Sequence, residues 1–402
     1  MGLNESVSAE RLHIGFFGLR NAGKSSLVNA ITNQDLSLVS DVLGTTTDPV
    51  RKAMELLPIG PVVIIDTPGL DDEGALGEAR VKRARQVLNT VDIAILVTDA
   101  NKSITPLEKE LVELFRVKKI PYIIAHNKID ECKSILQEES EQDIFVSAKL
   151  GTNIELLKEK IGKLAGEAES DRRIVSDLLC ENDTVLLVIP IDKAAPKGRL
   201  ILPQQQTIRD ILDAGGRVVI CRDSELKETL KSMEKMPKLV ITDSQVFGKV
   251  SKIVPREVLL TSFSILFARY KGNLIGAAKG AAKLDSLRDG DKILISEGCT
   301  HHRQCGDIGT VKLPKWIAEY TNKKLQLEFT SGRDFPEDLS EYSLIVHCGG
   351  CMLTEREMQY RARQAEDAGI PMTNYGMVIA HTHGILKRSL EPFDEAIEAL
   401  KK

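Results

Sequence analysis

The segment Gly18-Leu19-Arg20-Asn21-Ala22-Gly23-Lys24-Ser25 constrains this chain more than any other. It matches G-x-x-x-x-G-K-[ST] and lies between an apolar run, His13–Phe17, that reads as a strand and a helix beginning near Lys24. In that setting the glycines let the backbone wrap a phosphate, while successive N–H groups and the helix N-terminus face the anion. Lys24 is placed to reach β- and γ-phosphates, and the Ser25 hydroxyl to ligate Mg²⁺. Gly18, Asn21, Ala22, Gly23 and Ser26 complete the expected phosphate cradle. A loop of this kind opens a βαβ unit. The further apolar runs Val62–Asp66, Ile93–Thr98, Tyr122–His126 and Ile144–Val146 alternate with helix-like segments, which predicts a mainly parallel sheet.

Three more motifs close predicted strands. Asp66-Thr67-Pro68-Gly69 follows Val62–Ile65; an Asp there can hold the Mg²⁺ shell and a Gly amide can sense the γ-phosphate. Asn127-Lys128-Ile129-Asp130 ends another strand. Guanine presents N1–H and N2–H₂ as paired donors, so the Asp130 carboxylate selects guanine over adenine. Ser147-Ala148-Lys149 follows a third strand, where a backbone N–H can meet guanine O6. An isolated Asn-Lys-x-Asp is often an ordinary turn. Four motifs in this order, each at the C-terminal end of a strand, specify a guanine-nucleotide site.

The whole chain has 402 residues, room for two to three domains at roughly 150 residues each. Its net charge of −4 and its 4% aromatic content argue against a nucleic-acid footprint or a base-stacking platform. Met1–Glu10 shows no apolar h-region, and no run approaches the ~18 apolar residues of a spanning helix, so the expectation is a cytoplasmic protein with no membrane partner. Met1-Gly2-Leu3-Asn4-Glu5-Ser6 fits the loose myristoylation pattern, but no basic cluster supplies a second membrane signal. The predicted architecture is α/β throughout, with breaks near residues 170 and 266: a P-loop GTPase domain (1–170), a small parallel-sheet domain (171–265) and a C-terminal domain (266–402). The middle segment reads as a three-stranded βαβαβ unit, with strands Val185–Ile189, Arg217–Cys221 and Leu239–Thr242 and no chemical motif. A sheet that narrow has exposed edges, for which a second copy of the chain is the simplest partner.

The seven cysteines form an odd and uneven set, which argues for a reducing compartment and against a disulfide framework. Cys299-Thr300-His301 and His347-Cys348-Gly349-Gly350-Cys351 each follow a predicted strand, Lys292–Ser296 and Leu344–Val346. If those strands pair in parallel, both motifs emerge at one sheet edge. Thiolates there suit a [4Fe–4S] cluster or a tetrahedral zinc; a redox pair and inert buried thiols are the other readings. Cys305 lies outside the motif and reads as a spare thiol. His381-Thr382-His383, His13 and His126 read as hydrogen-bonded or structural histidines, and Lys82-Arg83-Ala84-Arg85 as a solvated helix face.

These residues resemble the translation-factor-like GTPases, and more closely the branch activated by a monovalent cation. Asn21 occupies the P-loop position that ligates K⁺ in that branch, and Gly44-Thr45-Thr46-Thr47-Asp48 looks like its switch I. The resemblance implies Thr46 as the Mg²⁺- and γ-phosphate-sensing residue, and Asn21, Lys24 and Thr46 as the groups that promote hydrolysis. Leu70 stands where Ras-like enzymes carry a water-orienting Gln, so slow, K⁺-stimulated turnover is expected. The joint occurrence of this GTPase pattern, a motif-free middle segment and C-x-H…H-C-x-x-C resembles the [FeFe]-hydrogenase maturation GTPases, the HydF family, over essentially the whole chain. That resemblance implies a [4Fe–4S] cluster held by Cys299, Cys348 and Cys351. It implies a scaffold that carries a diiron precursor to apo-[FeFe]-hydrogenase after radical-SAM maturases have acted, and a homodimer formed through the middle domain. His301 and His347 belong to the family motif as possible metal ligands. Cys305, Asp307, water or the cargo also compete for the fourth position. The competing reading is a regulatory GTPase switch whose zinc-stabilised C-terminal domain docks a partner.

Overall fold

A computed structural model describes residues 11–33, 50–57, 59–69, 84, 86–132, 140–168, 173–191, 200–298, 307–332 and 334–400. The chain forms two compact units, Met1–Ser170 and Asp171–Lys402. Thr46 and the rest of the switch I motif, Leu70, Lys82, Arg83, Arg85, Cys299, His301 and Cys305 lie outside the described residues.

The first unit is built on a six-stranded sheet in the order β2-β3-β1-β4-β5-β6. Its strands are β1 (Leu12–Phe17), β2 (Val50–Leu56), β3 (Gly60–Asp66), β4 (Ile93–Asp99), β5 (Tyr122–Asn127) and β6 (Asp143–Phe145). All pairings are parallel except β2 on β3. The central strands are near-continuous apolar runs because helices cover both faces; Ile14, Ile64, Ile93 and Ile95 pack on one side, and Phe17, Leu96 and Phe115 on the other. Strand β2 is an addition to the sequence reading. It is an edge strand whose charged Arg51, Lys52 and Glu55 interrupt the apolar signal. His13 and His126 are buried and bonded: His13 Nδ1 lies 2.8 Å from the Arg11 carbonyl oxygen, and His126 bridges Thr98 and Asp143.

The second unit holds two four-stranded parallel sheets. One runs β10-β9-β7-β8, from β7 (Thr184–Val188), β8 (Arg217–Cys221), β9 (Leu239–Thr242) and β10 (Leu259–Ser262). The middle sheet therefore has four strands where the sequence reading has three; the added strand, β10, is half polar, ending in Thr261 and Ser262. The other runs β12-β11-β13-β14, from β11 (Lys292–Glu297), β12 (Gln326–Ser331), β13 (Leu344–His347) and β14 (Met372–Asn374). Residue 266 falls inside the helix Phe263–Lys271, and the core runs across it. Val185, Leu187 and Ile241 of the first sheet pack in the same apolar cluster as Phe267, Ala281 and Met377. Among the described residues no helix is long and apolar enough to cross a membrane.

Candidate functional site

The nucleotide site grows from the end of β1. Gly18 sits at φ +142°, and a Cβ there would come within 2.2 Å of the Val97 carbonyl oxygen, so only glycine lets the loop leave the sheet at this point. Asn21 is exposed and left-handed at φ +60°. Gly23, at φ +89°, caps the helix Lys24–Thr32, whose first turn carries no acidic residue and no side-chain cap. Its leading N–H groups and positive dipole end are thus left for an anion. Lys24 Nζ is buried over the loop and donates to the Gly18 and Leu19 carbonyls at 3.1 and 2.8 Å. Ser26 is exposed in the helix's first turn.

Ser25 Oγ donates to Asp66 Oδ2 at 2.8 Å. Asp66 Oδ1 is buried and lacks a hydrogen-bond partner among the described residues. Burial pushes the Asp66 carboxyl above its usual range, against the pull of Ser25 and Lys24. A hydroxyl beside an orphaned buried carboxylate oxygen is the donor set a Mg²⁺ shell needs. Gly69 lies tight on the P-loop, since a Cβ there would meet Arg20 Cα at 2.9 Å.

The base side is wired to the phosphate side through Asn127. Its Nδ2 donates to the Ala22 carbonyl at 3.1 Å and its Oδ1 accepts from Ala148 N at 3.0 Å, so one amide ties the P-loop to the Ser147-Ala148-Lys149 turn. Ser147 Oγ donates to Asp130 Oδ1 at 2.6 Å and accepts from Leu150 N, which orients an otherwise exposed carboxylate. Lys128, left-handed at φ +68°, reaches Asp99 Oδ2 at 2.9 Å. Burial would raise the Asp99 carboxyl, but the bonds from Lys128 and Asn101 outweigh it and leave it below the usual range. The geometry presents phosphate, Mg²⁺ and guanine contacts along one sheet edge. Asn127 is the hub, and its motif alone does not signal these two hydrogen bonds, one to each loop.

The second site lies in the second unit, where β11 and β13 pair in parallel with Ser296 opposite His347. Cys348 N donates to the Ser296 carbonyl at 2.9 Å. Gly298 N, the last described group before Cys299, donates to Cys348 Sγ at 3.0 Å, and Gly350 N approaches the same sulfur at 3.4 Å. Two backbone N–H groups thus point at one sulfur. Burial pushes the Cys351 thiol up, and the Cys348 charge adds to this, while Lys271 pulls it down. Gly350, at φ +62°, lets the loop press on the next helix, where a Cβ would meet Met358 Sδ at 2.5 Å.

The structure moves two of the possible ligands away from that role. His347 is 1% exposed, and both of its ring nitrogens are engaged, Nδ1 with the Cys348 carbonyl at 2.8 Å and Nε2 with Arg361 Nη1 at 3.0 Å. It stands behind Cys348. Asp307 Oδ2 caps the turn Ile308–Lys312, accepting from Thr310 N and Oγ1 at 2.9 and 3.0 Å. Beside the site, the Tyr375 hydroxyl is held strongly protonated by burial and by the charges of Glu297 and Cys348. Farther off, His381 Nε2 contacts Asp285 at 3.0 Å, and His383 Nδ1 lies 2.8 Å from the Ile379 carbonyl oxygen. Among the described residues no three His, Cys, Asp or Glu side chains group around one point. The described pair of thiols, next to the strand end that runs into Cys299, still fits a soft metal by donor chemistry.

Comparison with known proteins follows the same division. Residues 13–128 match the family model described as a 50S ribosome-binding GTPase. The chain is 37% identical over 161 residues to the tRNA modification GTPase MnmE of Legionella pneumophila (strain Corby), which covers 39% of this chain and 35% of that protein. It is 33% identical over 190 residues to GTPase Der of Wolinella succinogenes, covering 44% and 39%. The chain thus spans well under half the length of these curated relatives. A crystal structure of a probable GTP-binding protein engB matches at 26% identity with a TM-score of 0.33, over 39% of this chain and 99% of that one. Residues 174–272 match the hydrogen maturase F dimerization domain, and residues 276–392 the hydrogen maturase F tetramerization domain. Together these two models span more than half of the chain, alongside a domain that binds GTP with Mg²⁺ and hydrolyses it. The chain belongs to the HydF hydrogenase maturase family: it is a maturation GTPase that carries that family's oligomerisation domains.

Proposed function

We propose that the chain is a GTP-hydrolysing iron–sulfur scaffold that carries a diiron precursor to apo-[FeFe]-hydrogenase, with radical-SAM maturases as its other partners. One observation carries this reading. Gly298 N on Cys348 Sγ brings the strand end that enters Cys299 against the two-cysteine loop. Cys299, Cys348 and Cys351 would hold a [4Fe–4S] cluster. With His347 and Asp307 committed elsewhere, the fourth position falls to His301, Cys305, water or the cargo. A bound cluster would supply an iron whose exchangeable site the cargo can occupy and leave. The chain's own residues would supply the thiolates, the N–H donors that stabilise them and the glycines that let a bulky group approach.

On the nucleotide side, Lys24, Ser25 and Asp66 hold the triphosphate and Mg²⁺, and Asp130 reads guanine. Asn21 would ligate K⁺ and Thr46 would sense the γ-phosphate, so water attacks the γ-phosphorus and GDP leaves without a Gln to orient the water. GTP turnover would control partner exchange. The segment 171–265 would form the homodimer through a free edge of its sheet, leaving 1–170 and 266–402 as the nucleotide and cluster domains of a cytoplasmic protein.

Anaerobic reconstitution with iron and sulfide tests the central assignment. A brown chain absorbing broadly near ~400 nm supports it. A colourless chain that retains zinc supports instead a GTPase switch with a zinc-stabilised docking domain. Equal GTP turnover in K⁺ and Na⁺ would remove the cation role of Asn21.

A further inference from the structure

The helix Glu355–Asp367 is strongly polar, yet Arg361 at its centre is 0% exposed, the bulkiest fully buried side chain among the described residues. Its Nε and Nη2 donate to Glu357 Oε1 at 3.0 and 2.8 Å, and Nη2 also to the Gly332 carbonyl at 2.9 Å. The guanidinium lies 4.9 Å from the Phe335 ring centroid. Nη1 donates to His347 Nε2 at 3.0 Å and to Ser296 Oγ at 3.4 Å. A guanidinium has only donors, so His347 Nε2 is the bare nitrogen. Nδ1 then carries the proton and donates to the Cys348 carbonyl at 2.8 Å. A second buried cation acts on the other cysteine. Lys271, 4% exposed, donates through Nζ to the Cys351 and Leu353 carbonyls at 3.3 and 3.1 Å.

Stability alone does not account for this arrangement. Apolar side chains of similar volume are usually as good as a buried ion pair, or better. The contacts converge instead on the carbonyls of the two cysteines. We propose that Glu357, Arg361 and His347 form a positioning relay that fixes the Cys348 peptide while Lys271 fixes the Cys351 peptide, so that the loop is held from behind by two cations. This inference rests on the cluster reading above and deepens it. His347 is then a positioning residue, and the cationic charge behind the loop makes an anionic cluster easier to reduce.

The test uses the full chain, reconstituted anaerobically, with iron content, the EPR spectrum of the reduced cluster and its reduction potential as readouts. His347→Asn keeps a donor near Nδ1 and should retain wild-type iron and EPR. His347→Leu should lose iron about 10-fold more readily, or show a broadened spectrum. Arg361→Gln should shift the potential to more negative values, and Arg361→Lys, which keeps the charge, should restore it. Wild-type iron, spectrum and potential in both His347→Leu and Arg361→Gln would overturn the relay, as would a spectrum in His347→Asn that shows a ligand has been replaced. Failure of the wild-type chain to take up iron overturns the cluster reading instead. The relay is then decided on the metal-free chain by site-resolved alkylation of Cys348. A rate changed in His347→Leu and restored in His347→Asn supports it; one rate in all three chains overturns it. Far-UV circular dichroism and thermal melts of each variant separate these effects from misfolding.

Discussion

The chain makes the same local structure twice and uses it in opposite ways. In each unit a glycine-containing loop leaves a buried parallel strand and runs toward a helix: Gly18–Gly23 before Lys24–Thr32, and Cys348–Thr354 before Glu355–Asp367. In each, backbone N–H groups are gathered for an anion. The difference is where the cation stands. Lys24 lies over its loop with a phosphate to reach, so its charge meets the ligand directly. Arg361 and Lys271 sit behind their loop and grip it through His347 and two cysteine-flanking carbonyls. A phosphate that comes and goes is bound by a cation that touches it. In the proposed cluster site, the sulfur ligands would be held by cations that do not touch the cluster.

Single substitutions break this comparison most sharply. Lys24→Ala should lower kcat for GTP about 10²–10³-fold, the usual loss when one donor to a developing charge is removed, with iron loading unchanged. Cys348→Ala should do the reverse. Steady-state GTP hydrolysis and iron analysis of both variants check this, and loss of both properties in either one would make the two loops a single coupled site. Next in size is Asp130→Asn. Replacing a charged acceptor at about 1.5–3 kcal/mol should weaken GTP about 10–100-fold in a fluorescent-nucleotide titration, while iron content stays constant.

Two glycine variants sharpen the comparison at the level of the loops. Gly18→Ala meets a backbone oxygen at 2.2 Å, at a φ of +142° outside the left-handed helical basin, and nothing nearby can yield. Gly350→Ala sits at φ +62° and meets only the flexible end of Met358. Thermal melts should show a loss of about 3 kcal/mol or more for the first and about 1–2 kcal/mol for the second. The smallest effect concerns Asp177 and Arg269, a pair that anchors the helix ending in Lys271. The Arg269 hydrogen bonds hold the Asp177 carboxyl below its usual range despite partial burial. A depressed acid stabilises the fold above its unfolded value of about 3.9, and that contribution is lost as the pH falls through the folded value. Arg269→Met should therefore melt about 1–3 °C lower at pH 7, and the gap should close in strong acid.

The strands and loops that carry Gly18, Lys24, Asp66, Asn127 and Asp130 were legible because contiguous motifs mark the strand ends, and the structure gathers these residues at the ends of β1, β3 and β5. The parallel pairing of β11 and β13 was legible too, from two apolar runs followed by cysteines. What was not legible is held by distance or by brevity. Strands β10 and β14, Leu259–Ser262 and Met372–Asn374, are short and end in polar residues, whereas the equally short β9 and β13 are largely apolar runs. In the helix Glu355–Asp367 no local signal marks Arg361 as buried, because three of its partners, Ser296, Gly332 and His347, come from other elements. His347 read as a possible ligand for the same reason, since the guanidinium that occupies its second nitrogen lies on the next helix.

The apolar cluster shared by the two sheets of the second unit has a consequence for how the chain can be cut and inherited. Val185 and Ile241 share one apolar cluster with Ala281 and Met377, so the segment that matches the dimerization model and the one that matches the tetramerization model each complete the other's core on one face. A protease should find its early cuts outside this seam, and a fragment ending at residue 272 should emerge sticky and ill-folded. Two names in sequence here describe one cooperative body, and a lesion in either half should be felt in both.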